Sequence, residues 1–508
     1  MIGNLKRSVE CSLQVGREPA TRVLLGIIVL CFVGCEAQSP RAPSILLIVI
    51  DTLRADAVSF YGSSRDTTPQ LDVLARHGIA YENAYAPAPW TLPSHATLLT
   101  GLEVEQHRVG TGDGSILRAG VTTLAERLAH EGYETVAFAE NPLVSGPFGI
   151  LRGFERQRAS RVDRLTALAA FDPSADLELA YEVKELDVLG EIEEWLEGRS
   201  NERPYLLFVN LFDPHAPYTI RDDNRFVSEA VTAGSLRDRT SRPSYRLCAA
   251  IPAIEEVDLL RGLYLGDVAA ADNKVGRILA KLRDAGLTEN LITIVTSDHG
   301  EHFGERRMMG HEFSLHGALL RVPLIVHGLA GRAPAVVDQA VGLGDIAPSI
   351  LKWVGLEDVA PLSGKTLPES TEGDASARRF IAMYADSVSE PPEDFVLPPS
   401  LLMEKERQKK RSHCGPSDPV FGGMAALMRY PMKFVWFEGY PSELYDLSWD
   451  PHERSNLATR RPDVAARFAA EFEAFSQKAA LFTPEGEAAA PLSEEALEAL
   501  RALGYVEE

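Results

Sequence analysis

The chain has 508 residues, 45% of them apolar and 24% charged, the proportions of a soluble globular protein with room for more than one core. That balance excludes a disordered, collagenous or multi-span membrane chain. Lys plus Arg number 51 against 73 Asp plus Glu, a formal net charge of -22; such a surface repels a phosphate backbone, and no basic stripe with interleaved aromatics argues for nucleic acid.

Residues 1–35 read as a targeting segment. Residues 23–35 carry no charge, are short of the ~20 that a spanning helix needs, and follow Arg17 and Arg22, as the apolar part of a secretory signal does. Phe32-Val33-Gly34-Cys35 resembles a bacterial lipoprotein processing box with Cys35 as the lipidated residue. A plain signal or signal anchor, or a buried strand, is the alternative. The expectation is therefore export to the periplasm or cell surface, with the membrane reached through this segment. Cys248 and Cys414 remain in the mature body and form either one bridge or two separate thiols.

A polar linker, 36–43, leads into the folded body. Residues 44–50, SILLIVI, are a continuous apolar run of the kind buried on both faces of a parallel sheet. Similar runs lie at 135–139, 205–212, 291–296 and 322–327. Helical patterns alternate with them at 69–77, 121–130 and 255–285, the last closed by Gly286. This alternation across 44–368 predicts an α/β fold with helices on both faces of the sheet. Residues 369–420 are rich in Pro and charge and read as an insertion, with 405–411 a solvated face. Residues 428–439 and 442–447 read as the two strands of a hairpin, followed by a helix from Pro462 to about Ala480. Together they make a small C-terminal α+β subdomain, 421–482, before an acidic Ala/Glu-rich tail, 483–508.

Ligands of open α/β sheets bind beyond the carboxyl ends of the strands. Asp51 ends the first run, Asp213 and His215 end the third, and Asp298 and His299 end the fourth. Four of the twelve His (His299, His302, His311, His316) fall within residues 299–316. A single Asp after a strand is ordinarily a turn former. Carboxylates and imidazoles delivered by three separate strands instead point to a divalent cation. In residues 88–101, Pro93 suits the first turn of a helix and Gly101 its end, which sets Thr91 just before a helix N-terminus. By spacing alone Thr91 is an ordinary N-cap; beside a metal its hydroxyl can attack tetrahedral sulfur or phosphorus.

The segments ILLIVIDTLRAD with FYG, PWTLPSHATLLTG, LFDPHAPY, TIVTSDHGEHFGE, HEFSLHGALLRVPLIV, DIAPSIL and ELYDLSWDPHERSNLA occur in that order between residues 44 and 458, and ALGYV closes the chain. Together they resemble the sulfatase family of the alkaline phosphatase superfamily. The resemblance implies an alkaline phosphatase-like fold, a large mixed, mainly parallel sheet, and an exported metal-dependent hydrolase of sulfate or phosphate esters. Asp51, Asp298 and His299 match ligands of one divalent metal, calcium by family, with manganese or zinc as alternatives. A second metal lacks a clear ligand trio, short of a rearrangement of Asp213, His215 and His311. Thr52 stands at the second Asp of the family's first pair, which removes one oxygen ligand.

His215 and His311 match positions that contact the transferred group or the leaving oxygen. Thr91 stands where the family carries the Cys or Ser converted to formylglycine, and His95 replaces the Arg of that signature. Thr cannot be oxidised to formylglycine. Superfamily members with Thr there are similar to phosphodiesterases, phosphatases and phospho-group transferases. Thr91 is accordingly expected to be the nucleophile, and His215 or His311 the proton donor to the leaving alcohol. His95 and Arg54 are expected to contact the anionic ester of a glycan, lipid or small molecule. Two further readings are a transferase moving a phospho-linked group onto an envelope glycan or lipid, and an inactive sulfatase-like binding lipoprotein.

Overall fold

The run Ser44–Ile50 is strand β1, and Ile45 to Ile50 are wholly buried. Their side chains alternate between two cores. Ile45, Leu47 and Val49 join one cluster, and Leu46, Ile48 and Ile50 the other. An unbroken apolar run is what a strand covered on both faces requires.

The structure, a computed structural model, describes residues 42–110, 116–164, 181–199, 203–221, 223–227, 254–311, 314–356, 362–371, 380–384, 423–480, 493–496 and 498. Residues 1–35, expected to be a targeting segment, with Cys35, both Cys248 and Cys414, the basic run 405–411, and most of 369–420 and 483–508 lie outside them. No helix among the described residues is long and apolar enough to cross a membrane.

Further strands are β2 (Ile79–Tyr81), β3 (Glu134–Ala139), β4 (Arg156–Ala159), β5 (Tyr205–Leu211), β6 (Leu291–Thr296), β7 (Leu324–His327) and β8 (Ala335–Val337). With β1 they form an eight-stranded sheet in the order β8-β2-β7-β6-β1-β5-β3-β4. Within it β7 alone runs against its neighbours. On one face pack the helices α2 (Thr91–Thr100), α3 (Leu124–His130) and α6 (Ile346–Trp353). On the other pack α1 (Pro69–His77), α4 (Val188–Gly198) and α5 (Ile254–Asp284). The sheet is thus large, mixed and mainly parallel, with helices on both faces.

Three expectations change in detail. The helix expected at 121–130 begins at Leu124, because the Thr123 hydroxyl accepts the Glu126 N–H at 3.1 Å and the Glu126 carboxylate accepts the Thr123 N–H at 2.8 Å. The run 322–327 is cut at Pro323, which has no N–H to give a ladder. Residues Arg321–Val322 pair with Ala84–Tyr85, and β7 joins the main sheet. The C-terminal hairpin is a four-stranded antiparallel sheet: β9 (Phe380–Tyr384), β10 (Met424–Arg429), β11 (Met432–Phe437) and β12 (Tyr440–Asp446). The segment expected as one strand contains the β10–β11 turn.

One face of this sheet, through Ala425, Leu427, Phe434 and Leu444, covers α7 (Pro462–Ala480) at Val464, Phe468 and Phe472. The other face, through Met424, Ala426, Val435 and Tyr445, belongs to the core of the main sheet. Residues Ala42–Glu508 form one compact unit. Ile48→Ala is expected to cost about 2–5 kcal/mol, read as a lower urea midpoint; an unchanged midpoint would remove β1 from the core.

Candidate metal centre and nucleophile

Register brings the ends of the three central strands level. Ile50 lies beside Leu211, Val49 beside Thr296, and the Asp51 N–H donates to the Leu211 carbonyl at 2.9 Å. The residues just beyond those ends therefore share one edge of the sheet.

Asp51, Asp298 and His299 meet there, each fully buried, with one ligand atom apiece within 4.8 Å of the others. Asp298 Oδ1 accepts the backbone N–H groups of Thr52 at 3.2 Å and His299 at 2.9 Å. Asp51 Oδ2 accepts the Asn141 amide at 2.6 Å. Asp51 Oδ1 and Asp298 Oδ2 are buried with no hydrogen bond. His299 Nδ1 lies 3.0 Å from the Gly300 carbonyl and donates to it, which leaves Nε2 as the lone-pair nitrogen. That Nε2 is 3.5 Å from Asp298 Oδ2 and 3.9 Å from Asp51 Oδ1. Position 300 must be glycine, since a Cβ there would lie 2.1 Å from the Ala318 carbonyl oxygen.

Burial, then the charge of Asp298, holds the Asp51 carboxyl well above its ordinary range. Burial likewise pushes Asp298 up to about 7, only partly offset by the two N–H donors. Burial lowers His299, keeping its imidazole neutral and able to ligate. Two carboxylates that resist ionising together, each with one bare oxygen, and a neutral imidazole nitrogen fit a divalent cation. The donor set of oxygens and one nitrogen admits several metals.

Thr91 is the first residue of α2, one position further in than its expected place before the helix; the N-cap is Trp90, whose backbone is extended. Pro93 sits in the first turn, where its missing N–H has no helical partner to lose. At the other end, Gly101 closes the helix with φ 70°. The Thr91 hydroxyl lies 3.5 Å from His299 Nε2 and 3.4 Å from Asn141 Nδ2.

Asn141 escaped the sequence reading. Its Oδ1 accepts the Leu143 N–H at 2.9 Å and its own N–H donates to Asn210 Oδ1 at 2.9 Å, so the amide is fixed with Nδ2 between Asp51 and Thr91. The available signal was its place just past the carboxyl end of β3, the argument that found Asp51. An Asn before a Pro reads first as a turn.

The other named residues divide. The His311 ring centre is 4.6 Å from that of His299 and 5.1 Å from that of His215, so both histidines stand beside the triad. His311 Nδ1 lies 3.3 Å from the Glu301 carboxylate; His215 stacks on Phe212 at 4.5 Å and reaches the Ala216 carbonyl through Nδ1 at 2.5 Å. His95 is fully buried one turn down α2. It donates from Nδ1 to the Thr91 carbonyl at 2.9 Å, its ring edge meets Phe208 on β5, and burial lowers it to about 4. Its Nδ1 also lies 3.6 Å from Asp298 Oδ2, so it stands against the triad as well as beneath the helix terminus.

Arg54, expected to contact the ester, is a structural tie instead. Its guanidinium is paired with Asp56 and Glu305, both at 2.7 Å, and donates to the Glu301 carbonyl at 2.7 Å. Asp213 is engaged by Arg221 at 3.0 Å and Lys274 at 2.8 Å, which leaves it no place in a second metal site. Thr52 holds φ 52°, a rare conformation for a β-branched residue, and its hydroxyl is buried without a hydrogen bond.

The model of the family described as Sulfatase matches residues 43–356. The chain is 25% identical over 473 residues to arylsulfatase K of Bos taurus, covering 85% of this chain and 81% of that one. Its fold is similar to that of a phosphonate monoester hydrolase of Agrobacterium radiobacter, with TM-score 0.63, 22% identity, and coverage of 86% and 96% of the two chains. It is also similar to a 2-O GAG sulfatase, with TM-score 0.64, 18% identity, and coverage of 91% and 96%.

The electrostatics make stability depend on pH. With metal chelated, the folded protein keeps the Asp298 proton up to about 7, whereas an unfolded Asp loses it near ~3.9. The chelated protein should lose stability as pH rises through that window, and a divalent cation should restore most at its upper end. Melting curves at pH 5 and pH 7.5, with and without chelator, check this; Asp298→Asn should flatten the dependence.

Proposed function

Because this chain belongs to the sulfatase family and is a hydrolase of sulfuric or phosphoric esters, we propose that Thr91 is its nucleophile and that esters of phosphorus are its better substrates. The observation that carries the reading is the Thr91 hydroxyl at the N-terminus of α2, 3.5 Å from His299 Nε2 in a triad with two bare carboxylate oxygens. A threonine cannot become formylglycine, so release of the group must pass through an ester of Thr91 and a second displacement. Phosphorus esters suit that route.

Asp51, Asp298 and His299 are the residues that would hold a divalent cation, calcium, manganese or zinc. Bound there, it would supply positive charge to the ester oxygens and to the Thr91 alkoxide. The rest is assigned to the chain's own groups. Asn141 donates to Asp51 and to Thr91, which holds the hydroxyl at a set distance from the triad. The N–H groups of the first turn of α2 face the charge that develops as Thr91 attacks. His311, with His215 beside it and Glu301 orienting its ring, gives a proton to the departing alcohol oxygen. The same imidazole then takes a proton from the water that attacks the Thr91 ester, which releases the acid and leaves Thr91 as the alkoxide that attacks the next ester.

The second reading is a sulfated glycan as substrate. Similarity to the 2-O GAG sulfatase favours it, and threonine at position 91 opposes it. We also place the enzyme outside the cytoplasm, anchored through Cys35, on the strength of residues 23–35 alone.

The test is hydrolysis of matched aryl sulfate, phosphate monoester, phosphodiester and phosphonate substrates by the chain beginning after Cys35. Cleavage of a phosphorus ester should fall ~10²-fold or more in Thr91→Ala, with Thr91 recovered as an acid-stable ester after quenching. Full activity in Thr91→Ala would remove it as nucleophile. Release of sulfate alone, dependent on Thr91, would overturn the preference for phosphorus. Separately, Asn141→Ala should lower kcat by ~10-fold or more while leaving the fold intact, and an unchanged kcat would make the amide a purely structural contact.

A further inference from the structure

We infer that Glu443, on β12 of the C-terminal sheet, is a positioning residue for His311; the inference rests on the reading of His311 as proton donor to the leaving group. His311 directly follows a short hairpin in which His302 pairs with Gly310 and Phe303 with Met309. The turn of that hairpin is strained, with Arg306 at φ 52° and Arg307 at φ 60° following Gly304 at φ 90°. Two consecutive side-chain-bearing residues in the left-handed region persist only where surrounding contacts impose them.

Those contacts come from β12 and the turn after it. One carboxylate takes a residue on either side of His311. Glu443 Oε1 lies 3.3 Å from Arg306 Nη1, and Glu443 Oε2 lies 2.9 Å from His316 Nε2. Arg306 lies in the turn of the hairpin that precedes His311, and His316 stands five residues after it, so Glu443 ties the chain on both sides of His311. Arg306 also donates to the Tyr445 hydroxyl at 2.6 Å and to the Glu453 carbonyl at 2.9 Å.

Glu453 adds a second tie. Its Oε2 accepts the Gly317 N–H at 2.7 Å, while its Oε1 pairs with Lys433 at 2.6 Å, both side chains being 2% exposed. The Glu453–Lys433 pair is buried in the subdomain, and breaking it threatens the fold. The Glu443 side chain is 18% exposed, which makes it the tie that can be cut. Glu443, Tyr445 and Glu453 sit in the segment ELYDLSWDPHER, which contributes no group to the metal triad.

A proton donor matters most when the leaving oxygen is basic, so its displacement shows as a dependence on the leaving group. The experiment compares phenyl and 4-nitrophenyl esters of whichever group, phosphate, phosphonate or sulfate, the wild-type chain cleaves. Glu443→Ala should lower kcat on the phenyl ester by about 10–100-fold and on the 4-nitrophenyl ester by less than about 3-fold, with His311→Ala giving the same selectivity and a larger loss. Glu443→Asp, too short to span Arg306 and His316, should behave alike and carries the test if the alanine variant does not fold. Equal losses on both esters in the Glu443 variants would reduce Glu443 to a structural contact and overturn the inference. Selective loss in His311→Ala alone would overturn it while leaving His311 as the donor. No selectivity in His311→Ala would overturn the proton-donor reading itself, and with it this inference.

Discussion

Two carboxylates buried side by side constrain everything around them. Asp51 and Asp298 each spend one oxygen on N–H donors and keep the other bare. In a site closed to water, that arrangement is unfavourable without a cation, because burial and mutual repulsion both oppose ionisation. The central sheet supplies the rigidity that keeps them together. Strand β1 lies between β5 and β6 in parallel register, and its apolar residues are wholly buried. A carboxylate at the end of such a strand cannot drift away from its neighbour.

Around this centre the protein uses its many charges as ties rather than as surface. Lys274 on α5 bridges Glu140 at 2.7 Å and Asp213 at 2.8 Å, and Arg221 bridges Asp213 and Asp267, each at 3.0 Å. Glu140 also accepts the Phe212 N–H at 2.9 Å. The segment that carries His215 is therefore fastened to β3 and to α5. Arg54 does the same where the chain leaves β1, between Asp56 and Glu305. Partly buried pairs of this kind hold backbone geometry more surely than they add stability, and geometry is what a nucleophile and a proton donor require.

Much of this was legible in the linear chain. SILLIVI, YLLFVNL and LITIVT are short for a buried helix and rich in branched residues, which marks them as strands covered on both faces, and polar residues at their ends then share an edge. Asp51, Asp298 and His299 follow from that argument, and family motifs agree. Thr91 was found at the right helix but one position out, because Pro93 fits the second or third helical position as readily as the first. Arg54 reads differently in sequence and in structure: a basic residue three positions after an aspartate of the triad looks poised for an anion, whereas Asp56, two positions on, and Glu305, from a distant segment, neutralise it. Asn141 was missed because an amide carries no charge and no distinctive spacing.

The sequence by itself determined the α/β class, the order of the strands along the chain, the family, and the triad. Those depend on periodicity and on residue type at strand ends, which are local properties. Only the tertiary structure decided which polar atoms face one another. Asn141 reaches Asp51 across 90 residues, and Glu443 reaches His316 across 127. Such pairings are set by sheet order, by the packing of the C-terminal sheet on the main core, and by the cost of leaving a buried polar group unmatched. None of these is a property of any short stretch of sequence.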